Sequence, residues 1–115
     1  MQKSVTADSI HKEIALSFID ALNNEDFHAA RSLVADGFTF SGPLGFRSGA
    51  NSYFQDMERM RLKYSVETAF ADGDEVCLLY DITMGGKSVY ACGLYRFIDG
   101  KIVSLRVVFD PRPLL

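Results

Sequence analysis

The chain has 115 residues, with 12 Lys plus Arg against 15 Asp plus Glu and a formal net charge of -3. Apolar residues make up 48% and charged residues 23%, a mix too apolar for disorder and without the basic excess that a nucleic-acid binder needs. Apolar runs such as Val76-Cys77-Leu78-Leu79-Tyr80 are too short to span a membrane, and Met1-Gln2-Lys3-Ser4-Val5-Thr6 lacks the apolar stretch of a secretion signal, so a cytoplasmic protein of one domain over residues 1–115 is expected.

The first half reads as helices. Ile10, Ile14, Phe18 and Leu22, with Ala15 and Ile19 beside them, recur at helical spacing. Thr6, Asp8 or Ser9 is the expected cap, and Asn23-Asn24 the end. A shorter helix follows from a cap at Asp26, with Phe27, Ala30, Leu33 and Val34 as its apolar stripe and Gly37 as its stop. Phe38-Thr39-Phe40 alternates as a short strand. Ser41 to Gly45 reads as a loop. A third helix is expected from Ala50 to Leu62, capped near Ser48, with Tyr53, Phe54, Met57 and Met60 facing inward.

The second half reads as four strands joined by turns. They cover Tyr64 to Ala71, Glu75 to Met84, Lys87 to Ile98 and Lys101 to Asp110, with Asp72-Gly73-Asp74, Gly85-Gly86 and Asp99-Gly100 between them. Pro111 and Pro113 end the last strand, since neither donates a ladder hydrogen bond. Helices followed by an antiparallel sheet make the class α+β.

A two-residue loop at Gly85-Gly86 pairs Met84 with Lys87 and fixes which side chains share a face. Val76, Leu78, Tyr80, Ile82, Val89, Ala91, Gly93, Tyr95 and Phe97 then lie together. That set is uncharged, so it meets the helices. The opposite face carries Cys77, Leu79, Asp81, Thr83, Ser88, Tyr90, Cys92, Leu94 and Arg96. Cys77 and Cys92 fall diagonally there, about 7–8 Å apart at Cα, too far for an unstrained disulfide. They are expected to be reduced, and His11 and His28 to be surface residues. No Cys-x-x-Cys or His–Cys spacing suggests a metal site, and no cofactor is expected.

The last hairpin allows two phases. A two-residue Asp99-Gly100 turn turns Ser104, Arg106, Val108 and Asp110 inward. A three-residue Ile98-Asp99-Gly100 turn places Val103, Leu105, Val107 and Phe109 there instead. Burying Arg106 and Asp110 costs several kcal/mol each unless they are paired. Burying the apolar set gains about 1.5–3 kcal/mol per side chain, so the three-residue turn is expected.

Several stretches resemble a known family. Ala21-Leu22-Asn23-Asn24-Glu25-Asp26, Leu33-Val34-Ala35-Asp36-Gly37-Phe38 and Gly42-Pro43-Leu44-Gly45 resemble the opening of nuclear transport factor 2-like domains. Tyr95-Arg96-Phe97-Ile98-Asp99-Gly100-Lys101-Ile102 and Val108-Phe109-Asp110-Pro111 resemble the SnoaL-like branch of that superfamily. The resemblance runs from about Ile14 to Pro113. It implies one SnoaL-like domain over residues 1–115. Three N-terminal helices would pack in the concave face of a curved, mostly antiparallel sheet, a cone-shaped, cystatin-like barrel. A homodimer would form through the sheet's outer face.

The resemblance also tests activities. Ketosteroid isomerase uses a carboxylate base, a tyrosine donor and a protonated aspartic acid. The tyrosine position falls on Phe18, the base on Gly42 (or Ser41) and the acid on Gly93, so all three groups are missing. Epoxide hydrolases of this fold use an Asp-Arg-Asp set whose final-strand aspartate falls on Val107. Asp81 lies in a strand that carries an acid in such enzymes, but on the outer face. For the cyclases' inward acid, Asp110 is the nearest residue.

Inner-face phase and resemblance together give the expected pocket residues: Phe18, Phe40, Tyr53, Phe54, Met57, Leu78, Tyr80, Gly93, Tyr95, Leu105, Val107 and Phe109. Tyr80 and Tyr95 are either core aromatics or donors that orient a ligand. Gly93 either leaves room for a ligand or marks a bulge. Asp110, Tyr95 and Tyr80 are the candidates for catalysis. The expected function is binding of a small hydrophobic molecule in an apolar, tyrosine-lined cavity. The alternative is an isomerase, cyclase, dehydratase or hydrolase acting on a cyclic carbonyl or hydroxyl compound through Asp110 or these tyrosines. The outer patch of Leu79, Tyr90, Cys92, Leu94 and Val108, rimmed by Asp81, Arg96, Arg106 and Asp110, is the expected homodimer contact. No nucleic-acid or membrane partner is expected.

Overall fold

A computed structural model describes residues 2–115, with side chains from Ala7 onward. Its elements are α1 (Gln2–Asn23), α2 (Phe27–Ser32), β1 (Val34–Gly42), β2 (Gly45–Ser48), α3 (Ala50–Met60), β3 (Lys63–Asp72), β4 (Glu75–Met84), β5 (Lys87–Ile98) and β6 (Lys101–Phe109). A short 3-10 turn, Arg112–Leu114, follows the last strand. Among the described residues no helix is long and apolar enough to cross a membrane.

The strands form one curved sheet in the order β2-β1-β6-β5-β4-β3. β1 runs parallel to β6 and the other pairs are antiparallel. The sheet is therefore mixed. It is also unclosed, with β2 and β3 as its edges. The three helices pack against it, and the class is α+β. The core lies between them and holds Phe18, Ile19 and Leu22 of α1, Phe38 of β1, and Val76, Leu78, Tyr80, Tyr95, Phe97 and Ile102 of the sheet.

α1 starts upstream of all three expected caps. Asp8 instead accepts from the Gly73 amide at 2.6 Å, Ser9 is exposed, and the Thr6 side chain lies outside the described residues. Ile10 is exposed rather than part of the buried stripe. His11 is not a free surface residue: its ring stacks on Phe97, with centroids 4.5 Å apart, and its Nδ1 lies 2.6 Å from the Gly73 carbonyl oxygen. Both contacts come from the end of the sheet, which sequence spacing does not place beside α1. His28 is exposed. At the other end of α1 the Asn23 amide acts as an extra ladder pair. It donates to the Tyr64 carbonyl at 2.9 Å and accepts from the Tyr64 amide at 2.7 Å.

Asp26 caps α2 as expected, accepting from the Ala29 amide at 3.1 Å. The helix ends at Ser32, well before Gly37, which lies inside β1. Val34 belongs to that strand because it pairs with Ile102 of β6. The expected loop after Phe40 is a tight hairpin at Pro43-Leu44 followed by β2. α3 is capped by Gly49, with no side-chain hydrogen bond from a cap.

β4 and β5 pair in the expected register, Met84 with Lys87 through Val76 with Tyr95. The last hairpin uses the other turn. Ile98 pairs with Lys101, and the intervening Asp99 and Gly100 have φ of 51° and 75°, the left-handed pair that a two-residue turn needs. The phase is nevertheless apolar-inward. A bulge inserts Val103, so that Phe97 faces Ile102 but Arg96 faces Ser104. Ile102, Leu105 and Val107 are buried, and Val103, expected inside, is displaced from the regular ladder. Arg106 is exposed.

Cys77 and Cys92 are free and lie diagonally, Cys77 opposite Leu94 and Cys92 opposite Leu79. Their sulfurs nonetheless meet at 3.2 Å, because the side chains lean toward each other across the ladder. Burial, and then the neighbouring thiol, push Cys77 up to about 11.

Candidate functional site

A cavity of about 170 Å³ lies between α3, the β1–β2 hairpin and the inner face of β4 to β6. Each strand delivers alternate side chains to it, as a pleated sheet must. Phe40 comes from β1, Ile82 and Met84 from β4, Val89 from β5, and Leu105, Val107 and Phe109 from β6. α3 supplies Tyr53, Met57 and Met60 at the i, i+4 and i+7 positions of one helix face, and Leu62 and Tyr64 complete the wall. The outer end is formed by Gly42 to Gly45 with Arg47, Asp56 and Arg59. Pro43, Leu44, Arg47 and Arg59 are exposed there, so the cavity opens to solvent between the hairpin and α3.

Two phenols reach the wall. Tyr53 is buried among Phe38, Phe40 and Phe54, with ring centroids 4.9, 5.3 and 5.2 Å away. Tyr64 packs its ring against Tyr80 at 5.2 Å. Burial pushes the Tyr53 phenol far above its ordinary value. The nearby Tyr80 adds to this, and hydrogen bonding to Tyr64 offsets part of it. Tyr64 is likewise pushed well up, first by burial and then by Tyr53 and Tyr80. At neutral pH both stay protonated. With one hydroxyl donating to the other, one O–H remains to donate to a ligand oxygen, and neither phenol is a base.

Of the residues expected in the pocket, Phe40, Tyr53, Met57, Leu105, Val107 and Phe109 come together on this wall. Phe18, Phe54, Leu78, Tyr80, Gly93 and Tyr95 lie outside it, packed in the core. Phe18 is sealed edge-on between Phe54 and Tyr95, at 6.3 and 6.1 Å. Tyr80 and Tyr95 share a buried hydrogen bond of 2.9 Å between their hydroxyls. Each therefore satisfies the other, which is what a core tyrosine needs. Gly93 neither opens space for a ligand nor forms a bulge. It pairs regularly with Leu78 and Val107, and its missing side chain is replaced by the Tyr80 phenol, whose Cζ would lie 2.9 Å from a Cβ built there.

Asp110 is exposed beyond the end of β6. It accepts from the Arg112 amide at 3.0 Å and from Arg112 Nε at 2.8 Å. Those hydrogen bonds hold its carboxyl below the usual range. It does not line the cavity. Asp81 and Arg106 are exposed on the outer side of the sheet.

Sequence reasoning did not single out Arg47, Asp56 and Arg59, the charged residues of the cavity wall among those described. Arg47 Nε donates to Asp56 Oδ2 at 2.6 Å, and Arg59 Nη2 lies 3.3 Å from Asp56 Oδ1. The one available signal was the i, i+3 spacing of Asp56 and Arg59 on a helix. Arg47 gave none, because it lies between the expected loop at Ser41 to Gly45 and the expected third helix, in a stretch with no element signal.

The comparisons with known proteins agree on the architecture. The SnoaL-like domain family matches residues 15–105. A nuclear transport factor 2-like protein of unknown function from Cytophaga hutchinsonii is 50% identical, over 90% of this chain and 93% of that one, with a TM-score of 0.89. A protein of Kribbella flavida provisionally named a ketosteroid isomerase is 16% identical over 90% of this chain and 79% of that one, with a TM-score of 0.82. An epoxide hydrolase of Mycobacterium tuberculosis is 22% identical over 92% and 86% of the two chains, with a TM-score of 0.80. The last two show a shared fold. No curated protein matches the chain. Given the match over residues 15–105, and a relative at 50% identity across nearly all of both chains, this chain belongs to the SnoaL-like family of the nuclear transport factor 2-like superfamily.

Proposed function

We propose that the protein binds a small apolar molecule, about the size of one ring, in the cavity beneath α3. The observation that carries this reading is an open-mouthed hollow of about 170 Å³ whose described lining, away from the charged mouth, consists of apolar residues with the two tyrosines Tyr53 and Tyr64. Apolar cavities of about 150 Å³ admit benzene, so a monocyclic body fits the space. The two phenols, held un-ionised by burial, give such a ligand a directional donor without a charge. Asp56, the carboxylate of the wall, is already engaged by Arg47 and Arg59.

The test is titration of labelled protein with toluene, followed by amide chemical shifts and thermal unfolding. Saturable shifts at Met57, Val89 and Val107 are expected. At a hundred times the dissociation constant the stability gain is about 2.7 kcal/mol. Val107→Phe, which fills the hollow, should abolish both effects. Shifts absent from the cavity residues at saturating toluene would overturn the reading.

We also propose that two copies pair through the outer sheet face. Tyr90, Leu94 and Val108 are exposed there on adjacent strands, beside the half-buried Leu79 and Cys92. An apolar patch on one face of a sheet favours isologous association. Sedimentation should give a dimer at micromolar concentration that Leu94→Lys dissociates. A monomer for the parent chain would exclude the pairing.

A further inference from the structure

We infer that the occupant is a monocarboxylate: a ring-sized apolar body inside, and an anionic head at the mouth held by Arg47 and Arg59. This rests on the binding reading above and adds to it the chemical class of the ligand.

The charge arrangement carries the inference. The charged groups on the cavity wall all stand at its outer end, Arg47 from β2 and Asp56 and Arg59 from α3. Two guanidiniums against one carboxylate leave one positive charge. The carboxylate is the most enclosed of the three, its side chain 18% exposed against 46% for Arg47 and 70% for Arg59. Asp56 is thus tied down behind the two cations, which face outward. Among the described residues Arg47 spends one N–H on Asp56 and one on the Phe46 carbonyl at 2.8 Å, and the ion pair of Arg59 is with Asp56. A guanidinium has five N–H groups in a planar fork that matches a carboxylate. Most of that capacity is unspent and lies at the lip of an apolar hollow.

The position of the anion follows from the interior. Beyond the mouth the wall offers phenols and hydrocarbon, where an unpaired charge is costly to bury. A carboxylate therefore stops at the arginines while its apolar end enters. The chain as a whole carries a net charge of -3, so general electrostatic attraction of anions does not explain this cationic lip. A cationic ligand meets two guanidiniums head-on. A neutral alcohol leaves their N–H groups to water.

The experiment compares phenylacetate, phenethyl alcohol and phenethylamine, near-isosteric probes with different heads, by calorimetry on the full chain. Phenylacetate is expected to bind about tenfold more tightly than the alcohol, the difference made by a charge-assisted hydrogen bond, and the amine more weakly than both. Arg59→Gln, at an exposed position, should remove most of the preference for phenylacetate, weakening the acid several-fold more than the alcohol. Arg47→Gln should act in the same direction. Equal affinity for acid and alcohol, or equal loss of both in Arg59→Gln, would overturn the carboxylate inference and leave the cavity reading standing. If none of the three probes binds, both readings fall.

Discussion

Gly93 and Tyr80 occupy one side chain's worth of space. The glycine sits on β5 and the tyrosine on β4, and the phenol lies over the glycine backbone where any other residue would put its Cβ. The same phenol reaches the Tyr95 hydroxyl at 2.9 Å. Gly93→Ala is therefore expected to force Tyr80 out of place and break that buried hydrogen bond. Overpacking and the lost bond together suggest about 3 kcal/mol of destabilisation, read from urea unfolding. Adding Tyr80→Phe should recover part of this, since the hydroxyl is the nearest atom. A Gly93→Ala protein as stable as the parent would mean that the phenol lies elsewhere.

Alkaline pH should unfold the protein steeply. Burial pushes the phenols of Tyr53, Tyr64, Tyr80 and Tyr95 upward in the folded chain, whereas in the unfolded chain they ionise near pH 10. The folded state then holds more protons than the unfolded one. Stability is full below about pH 10 and falls above it, by about 1.4 kcal/mol per pH unit for each proton retained. Cys77, pushed up to about 11, adds to the decline from a lower starting point. Urea midpoints taken from neutral to alkaline pH check this. A flat profile past pH 11 would contradict the burial of these groups.

Asn23→Ala should loosen the junction between α1 and β3. Both hydrogen bonds to the Tyr64 backbone disappear, at a cost of about 2 kcal/mol. Asn23→Asp keeps the acceptor and loses the donor, so its denaturation midpoint should fall between the alanine variant and the parent.

Asp110→Asn should change neither ligand affinity nor melting temperature beyond measurement error. Its contacts are to Arg112 at the surface, and exposed pairs of this kind contribute little. A loss of binding in this variant would return Asp110 to the site.

The sequence made some elements legible and hid others for identifiable reasons. β4 and β5 were readable to the residue because Gly85-Gly86 is a short turn and alternation continues unbroken on both sides. β2 was invisible because all four of its residues are exposed, so it carries no period-two pattern. β1 was read short because Gly37 looked like a helix stop, although it lies in the strand. The cavity's deep wall followed from inner-face phase. Its mouth did not, because Arg47 and Asp56 are nine residues apart on different elements and meet only in three dimensions. The core tyrosines were placed on the correct face, but no sequence pattern shows that Tyr80 and Tyr95 bond to each other and that Gly93 is filled by Tyr80.

The extra residue in β6 has one more consequence. Ile102 and Leu105 both point inward although they are three apart, because Val103 and Ser104 together occupy a single outward slot. Removing Val103 would leave every later partner of β6 unchanged, from Ser104 with Arg96 to Phe109 with Ala91. This hairpin is therefore a place where length can vary between homologues by one residue without moving the hollow, and an alignment gap there would say nothing about what the hollow holds.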